Sequence, residues 1–331
     1  MKSADHSLKG ADMRQEKLPQ KVVKINFWFL SLGLIATLLL IIGCDQNQDV
    51  KKISLQKSEK IKSAPLSPTK EKSLKIAVSA MISPQETSHF YKDILDYVSE
   101  KLTIPIELVQ RETYEEINDL LKKQELDAAF VCSGAYVTGH DEFGMELLVA
   151  PVVYGKPVYY SYIIVHQDSP ARTLQDLRGE SFAFTDPLSN TGKLAPTFML
   201  AQMGENAESF FSHFIFTNNH DASIEAVSKK LVDGAAVDSL IWDYLNVTNP
   251  VHTSQTKIIQ KSAPYGIPPI VVPKGIDMQM KEELRNIFLH MHEDENGRKI
   301  LNNIMIDRFI EVSNDMYDSI RTMQQGLIDE K

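Results

Sequence analysis

The sequence predicts an α/β protein of two α/β lobes joined by a two-segment hinge, and three observations carry that expectation. From Leu74 onward, strand-like and helix-like segments alternate, which implies crossover units and a mostly parallel sheet covered by helices. A short pattern, D-x-A-x-V-x-S, occurs twice, at 127–133 (DAAFVCS) and 233–239 (DGAAVDS), each time behind a lysine-bearing helical segment. Two further stretches, 159–165 (YYSYIIV) and 263–272 (APYGIPPIVV), are placed to carry the chain from one lobe to the other and back.

The chain before Leu74 has a different character. Residues 27–43 read FWFLSLGLIATLLLIIG, no charge follows until Asp45, and Lys17, Lys21 and Lys24 lie upstream. A basic flank and an apolar run make a secretory signal, but the run is also close to the ~18 residues that cross a bilayer, so an uncleaved anchor competes. Either way the lysines hold that end in the cytoplasm and the body of the chain is exported. The end of the run, Ile41-Ile42-Gly43-Cys44, resembles the lipobox of bacterial lipoproteins, which implies lipidation of Cys44 and a membrane attachment through lipid. Residues 45–73 hold seven lysines, few large apolar side chains and the breaker-rich SAPLSPTK. Such a composition cannot bury a core and reads as a flexible tether.

The body follows in order. Residues 74–80 (LKIAVSA) read as a strand, 86–101 as a helix spaced through Phe90, Ile94, Leu95 and Val98, and 106–109 as a short strand. A helix over 115–123 and a buried strand over 127–132 complete the first unit, and 278–323 is helical by pattern. The expected division is therefore 1–43 signal segment, 44–73 tether, 74–162 with 264–331 as one lobe, and 163–263 as the other.

Charge excludes one class of function. The chain carries a formal charge of −9, and −12 once residues 1–43 are removed, which argues against nucleic acid as a partner. An anionic ligand would have to be held by local dipoles. The two cysteines, Cys44 and Cys132, suggest no disulfide if the first is acylated, and Cys132 reads as a small buried hydrophobe.

The stretch 189–196 (SNTGKLAP) offers Ser189, Asn190 and Thr191 ahead of Gly192, between a strand-like and a helix-like run. One such residue caps a helix. Three with a glycine that permits a positive-φ turn make a cradle of donors at the positive end of a helix dipole, so these four are candidate anion ligands. His220, ahead of a helix over 224–231, is placed to donate to an anion if charged, and Asp221 is expected to cap that helix. Asp238 ends the second repeat. There it either caps the next helix or selects a ligand that carries a proton or an amine, since a bare anion would repel it. Ser133 and Ser239 close the two repeats and should face a common crevice, because ligands of open α/β sheets lie beyond the carboxyl ends of strands. Tyr136, Tyr159 and Tyr160 are aromatic candidates for the same crevice, with Phe90 and Tyr91 weaker ones. No G-x-S-x-G, H-E-x-x-H or C-x-x-C occurs, His290 and His292 point to different faces of a helix, and neither an enzyme nor a cofactor or metal site is expected.

Taken together, the lipobox, LKIAVSA, DLRG at 176–179, TDPLSNTG at 185–192, NHDASIEAV at 219–227 and AAVDS at 235–239 resemble the phosphonate, phosphite and phosphate class of substrate-binding lipoproteins of ABC importers. The resemblance covers about residues 74–325. It implies the type II periplasmic binding protein fold, a small oxyanion closed between lobes, and an importer permease as partner of a monomeric, membrane-tethered receptor. It also implies that Ser189, Asn190 and Thr191 hold the oxyanion, that His220 donates to it, that Asp238 accepts from a protonated or amino group, and that Tyr159 or Tyr160 lines the first lobe. Lys193 departs from the aromatic or aliphatic residue usual after that glycine, which argues against a large organic substituent. A sensory module signalling to a membrane histidine kinase is the alternative on the same fold, and an exported hydrolase built on His220 is a third reading that the missing nucleophile elbow disfavours.

Overall fold

A computed structural model of the chain describes residues 73–329. The signal segment, Cys44 and nearly all of the tether lie outside the described residues. β1 (Leu74–Val78) is buried except at Lys75 and leads to α1 (Pro84–Leu102), whose proline sits in the first turn, where no intrahelical donor is lost. Thr103 ends α1 with φ 54°, in the left-handed region that stops a helix. β2 (Ile106–Gln110) is followed by α2 (Tyr114–Lys122), opened by a capping box between Thr113 and Glu116. β3 (Ala128–Phe130) runs into α3 (Ser133–Phe143), and β4 (Glu146–Val152) follows.

The chain then crosses. The expected single strand over 159–165 is two, β5 (Val158–Tyr159) and β6 (Ser161–His166), because the Tyr160 N–H leaves the ladder to donate to Ser239 Oγ at 3.0 Å. β7 (Ser181–Phe184) leads to a π-turn over Asn190–Leu194 and α4 (Ala195–Ala201). β8 (His213–Phe216), α5 (His220–Ser228), β9 (Gly234–Asp238), α6 (Ser239–Thr248) and β10 (Thr256–Lys261) complete the second part. The return uses β11 (Tyr265–Gly266) and β12 (Ile270–Val272), then α7 (Met278–His290), α8 (Glu295–Asn303), β13 (Arg308–Ile310) and α9 (Asp318–Asp329). The terminal segment is thus interrupted by β13, which pairs antiparallel with β4, where the pattern of 278–323 predicted helix throughout.

Two sheets result. Their orders are β2-β1-β3-β12-β4-β13 and β8-β7-β9-β6-β10, and the crossing strands β5 and β11 pair with each other, Tyr159 opposite Tyr265. The first five strands of each sheet correspond one to one. In both, the first three are parallel and the third pairs antiparallel with a strand that follows a crossing, β12 or β6. Parallel strands place all their carboxyl ends on one edge, so each sheet presents one set of loops for a ligand. Among the described residues no helix is long and apolar enough to cross a membrane.

Candidate functional site

The carboxyl ends of the two sheets meet. Four hydrogen bonds link them: His220 N–H to the Met81 carbonyl at 3.0 Å, Ser83 N–H to Asp221 Oδ1 at 2.9 Å, Tyr114 N–H to Asp186 Oδ2 at 3.0 Å, and Asn190 N–H to Cys132 Sγ at 3.4 Å. The approach is tight at Gly134, where an added Cβ would lie 2.4 Å from the Leu188 carbonyl oxygen.

Buried polar atoms without a protein partner gather on these loops. Ser79 Oγ follows β1 and Thr185 Oγ1 follows β7. Tyr114 Oη and His220 Nε2 belong to the first residues of α2 and α5, and Asn190 Oδ1 and Thr191 Oγ1 to the π-turn after β7. All six residues are fully buried. Leaving one buried polar group unpaired costs about 1–3 kcal/mol, so a protein does not assemble six without a use for them.

The sequence-selected cradle divides in two. Ser189 is a cap, accepting the Gly192 N–H at 3.0 Å, which is its plain structural role. Asn190 donates from Nδ2 to Tyr159 Oη at 3.1 Å and keeps Oδ1 open, while Thr191 offers its hydroxyl and is held through its carbonyl by Ser161 Oγ at 2.6 Å. Gly192 is not at positive φ, contrary to expectation. It is needed for space, since a Cβ there would lie 1.7 Å from Thr185 Oγ1.

His220 begins α5, so the helix starts four residues earlier than predicted. Asn219, not Asp221, is its cap, accepting the Ala222 N–H at 3.1 Å, while Asp221 reaches Ser83 in the other sheet's loops. The His220 Nδ1 accepts the Asp238 N–H at 3.0 Å, which leaves the ring proton on Nε2. Burial lowers the imidazole pKa to about 3, so His220 is a neutral donor, where the sequence reading required it charged. Asp238 caps α6 through the Leu240 N–H at 2.7 Å, and burial raises its pKa to about 7. The expected cap is therefore present, on a carboxyl that is protonated near neutral pH.

The tyrosines separate cleanly. Tyr159 is buried with its hydroxyl against Asn190 and 3.9 Å from Cys132 Sγ. Tyr160 lies with its ring beneath Lys261, whose Nζ is 3.5 Å from the centroid, and Tyr136 donates to Asn314 Oδ1 at 2.8 Å while packing on Tyr317. Neither contact is with the cleft loops. Ser133 and Ser239 sit at the expected strand ends, but their hydroxyls are taken: Ser133 donates to the Gly266 carbonyl at 2.6 Å and Ser239 accepts from Tyr160 N–H. Lys193 Nζ lies 3.9 Å over the Phe184 ring and the residue lines an outer groove, so it sets no limit on a ligand in the cleft.

Tyr114, Ser79 and Thr185 were not selected from sequence. Tyr114 links the two sides: desolvation raises its pKa well above normal, the Asp186 and Asp238 carboxylates add to the rise, and its hydroxyl lies near Ser189. The signal was available in Ser79, the polar residue next to the end of LKIAVSA, and in Thr185, which opens the TDPLSNTG motif. Among the described residues the one buried cation is Lys281, paired with Glu146, so the cleft loops hold no buried lysine or arginine. Together the cleft loops gather uncharged polar groups with two buried carboxyls, Asp186 and Asp238, whose pKa values desolvation raises.

A sequence model described as ABC transporter, phosphonate, periplasmic substrate-binding protein matches residues 76–317. The phosphonates-binding periplasmic protein of Escherichia coli is 24% identical over 236 residues, 70% of this chain and 70% of that protein. A binding-protein component of an ABC phosphonate transporter from Pseudomonas aeruginosa superposes with a TM-score of 0.73 at 22% identity, over 77% of this chain and 86% of its own. A Prochlorococcus marinus protein solved in complex with methylphosphonate does so with a TM-score of 0.71 at 18% identity, over 78% of this chain and 98% of its own.

Proposed function

Because the chain belongs to the periplasmic substrate-binding proteins of phosphonate ABC transporters, we propose that it captures a phosphonate, phosphite or phosphate as a singly protonated anion, using uncharged donors and one shared proton. The protein is a non-enzymatic solute receptor of an importer, with the type II periplasmic binding protein fold. The observation that carries the finer reading is the set of six unpartnered buried polar atoms on the facing loops.

In this reading the hydroxyls of Ser79, Tyr114, Thr185 and Thr191 and the Nε2–H of His220 replace the water shell of the anion. Hydrogen bonds to a charged group contribute about 1.5–3 kcal/mol each, so several of them substitute for a cation. Asp238 adds discrimination. Two bare anions in one buried site repel, so the pair of Asp238 and ligand holds one proton between them, on either the carboxyl or the phosphorus oxygen. Sulfate brings no proton and depends on the one Asp238 carries, so it is disfavoured once Asp238 ionises above about pH 7.

Titration calorimetry with phosphite, methylphosphonate, phosphate and sulfate tests this. Micromolar or tighter binding of at least one phosphorus anion is expected, with sulfate at least tenfold weaker at pH 8, where Asp238 is mostly ionised. Affinity should fall as pH rises above about 7, where the shared proton is lost, and should change less with pH in Asp238→Asn. No heat from any phosphorus anion between pH 6 and 8 would defeat the reading.

Two further elements complete it. The paired crossing strands β5 and β11 act as the hinge between a lobe of 74–160 with 264–331 and a lobe of 161–263; the first boundary falls two residues before the expected 162 because Ser161 and Tyr162 already pair with Asp238 and Val237 in the second sheet. Cys44 carries the lipid that holds the receptor at the membrane, outside the cytoplasm. A mass spectrum of the mature N-terminal peptide checks the lipid directly: an unmodified Cys44, or a chain still beginning at Met1, contradicts it.

A further inference from the structure

Two helices of the first lobe begin without a full set of partners from their own lobe. In α1 the cap residue Ser83 makes no side-chain cap bond, and in α2 the Thr113 cap serves the Glu116 N–H and leaves that of Tyr114. The second lobe supplies what is missing. Asp221 Oδ1 accepts the Ser83 N–H at 2.9 Å, and Asp186 Oδ2 accepts the Tyr114 N–H at 3.0 Å. Each carboxyl therefore lies at the positive end of a helix dipole in the opposite lobe, where negative charge is favoured.

Neither carboxyl is explained by its own lobe or by an anionic ligand. Asn219 already caps α5, so Asp221 is not needed there. Asp186 Oδ1 accepts the Leu188 N–H at 2.7 Å, so both its oxygens face backbone donors, and a carboxylate would repel a bound anion. The lobes also approach at Gly134, the second residue of α3. The three atoms nearest an added Cβ, the Leu188 carbonyl oxygen at 2.4 Å, the Asn190 nitrogen at 2.9 Å and the Asn190 Cα at 3.4 Å, all belong to the second lobe. Gly134 is not at positive φ, so alanine suits its backbone and is the better helix former. The glycine is there for the approach of the lobes.

Resting on the oxyanion and hinge readings above, we infer that Asp186 and Asp221 are positioning residues that form a latch: they set the balance between open and closed lobes, and so scale affinity for every ligand by one factor without choosing among ligands. The latch does not hold an empty cleft shut, because closure without ligand buries the six unpartnered polar atoms. Ligand and latch act on the same equilibrium. When the closed form is the minor one, the apparent dissociation constant is the intrinsic constant divided by the closed fraction, so weakening the latch moves all affinities together.

Calorimetry and small-angle X-ray scattering on the whole protein with phosphite, methylphosphonate and phosphate decide the matter. Asp221→Ala should weaken every anion the parent binds by about tenfold, with the ratios among them kept within about threefold. Asp221→Asn keeps an acceptor oxygen for the Ser83 N–H and should stay within about threefold of the parent. Asp186→Ala should cost more than Asp221→Ala, since the Tyr114 it leaves unpaired is fully buried. Gly134→Ala should resist urea at least as well as the parent, yet lose roughly 100-fold in affinity for each anion and fail to contract on adding ligand. Unchanged affinity in Asp221→Ala, a larger shift in the ratios among anions, or a Gly134→Ala protein that binds and contracts normally overturns the latch while leaving oxyanion capture intact. A parent protein that binds none of the three anions removes the oxyanion reading and this one with it.

Discussion

The two copies of the D-x-A-x-V-x-S pattern do the same mechanical work and differ in chemistry. Asp127 accepts the Lys75 N–H at 2.7 Å and Asp233 accepts the Ser181 N–H at 2.9 Å, so each leading aspartate ties its strand to the start of the neighbouring one. At the other end each serine holds a crossing segment, Ser133 the Gly266 carbonyl and Ser239 the Tyr160 N–H. These two segments are adjacent to, or part of, the paired strands β5 and β11. Correspondence extends to the preceding helices, where Tyr114 and His220 occupy the first position of α2 and α5 and donate their N–H groups to the opposite side. The difference falls one residue before the serines: Cys132 in one copy, Asp238 in the other. Repetition built the frame, and departure from it placed a titrating group, Asp238, in the cleft.

Removing that departure should give the largest effect. Asp238 has a folded pKa of about 7, above its value in the unfolded chain, so the proton it binds stabilises the folded state fully below about pH 4 and that contribution is lost as pH rises through 7. Asp238→Asn avoids burying the charge. It should match the parent near pH 4 and exceed it by roughly 2–4 kcal/mol at pH 8, read from urea unfolding at both pH values. A constant difference across that range would mean the carboxyl is not the buried charge described here. His220 acts in the opposite sense, because its depressed pKa costs stability as pH falls below about 6.5, so unfolding curves are best compared with it intact.

The next test sets the paired helix starts against each other. Tyr114→Phe and His220→Phe each remove one unpartnered donor, and each should weaken the tightest-binding phosphorus anion by about 10- to 100-fold in calorimetry. His220→Phe should cost more, since it also strands the Asp238 N–H. Equal affinity in Tyr114→Phe would remove that hydroxyl from the site and leave the two sides unequal.

The smallest effects are expected at the serines. Ser133→Ala and Ser239→Ala should each lower stability by about 1 kcal/mol in urea unfolding, with no more than a severalfold change in affinity. A hundredfold loss of binding in either would show that the hydroxyl faces the ligand and not the crossing segment.

Much of this was written in local sequence. The alternation from Leu74 gave the layered fold, and polar residues at strand ends gave Asn190, Thr191, His220 and Asp238, because strand ends and helix starts are set by neighbours a few residues away. The end of the chain was misread for the same reason: β13 exists because β4 offers a partner more than 150 residues earlier.

The amino-acid order alone therefore determined the two-part α/β architecture and the candidate donors. Tertiary structure decided which donors remain available. Whether Ser133, Tyr136 or Tyr160 has a spare hydroxyl or ring depends on which group arrives from elsewhere in the chain, as Gly266 does for Ser133 and Asn314 for Tyr136. Tyr114, Ser79 and Thr185 became candidates only once their surroundings left them without partners. A hydrogen-bonding group is defined by what it is not already bound to, and that is a property of the packed molecule.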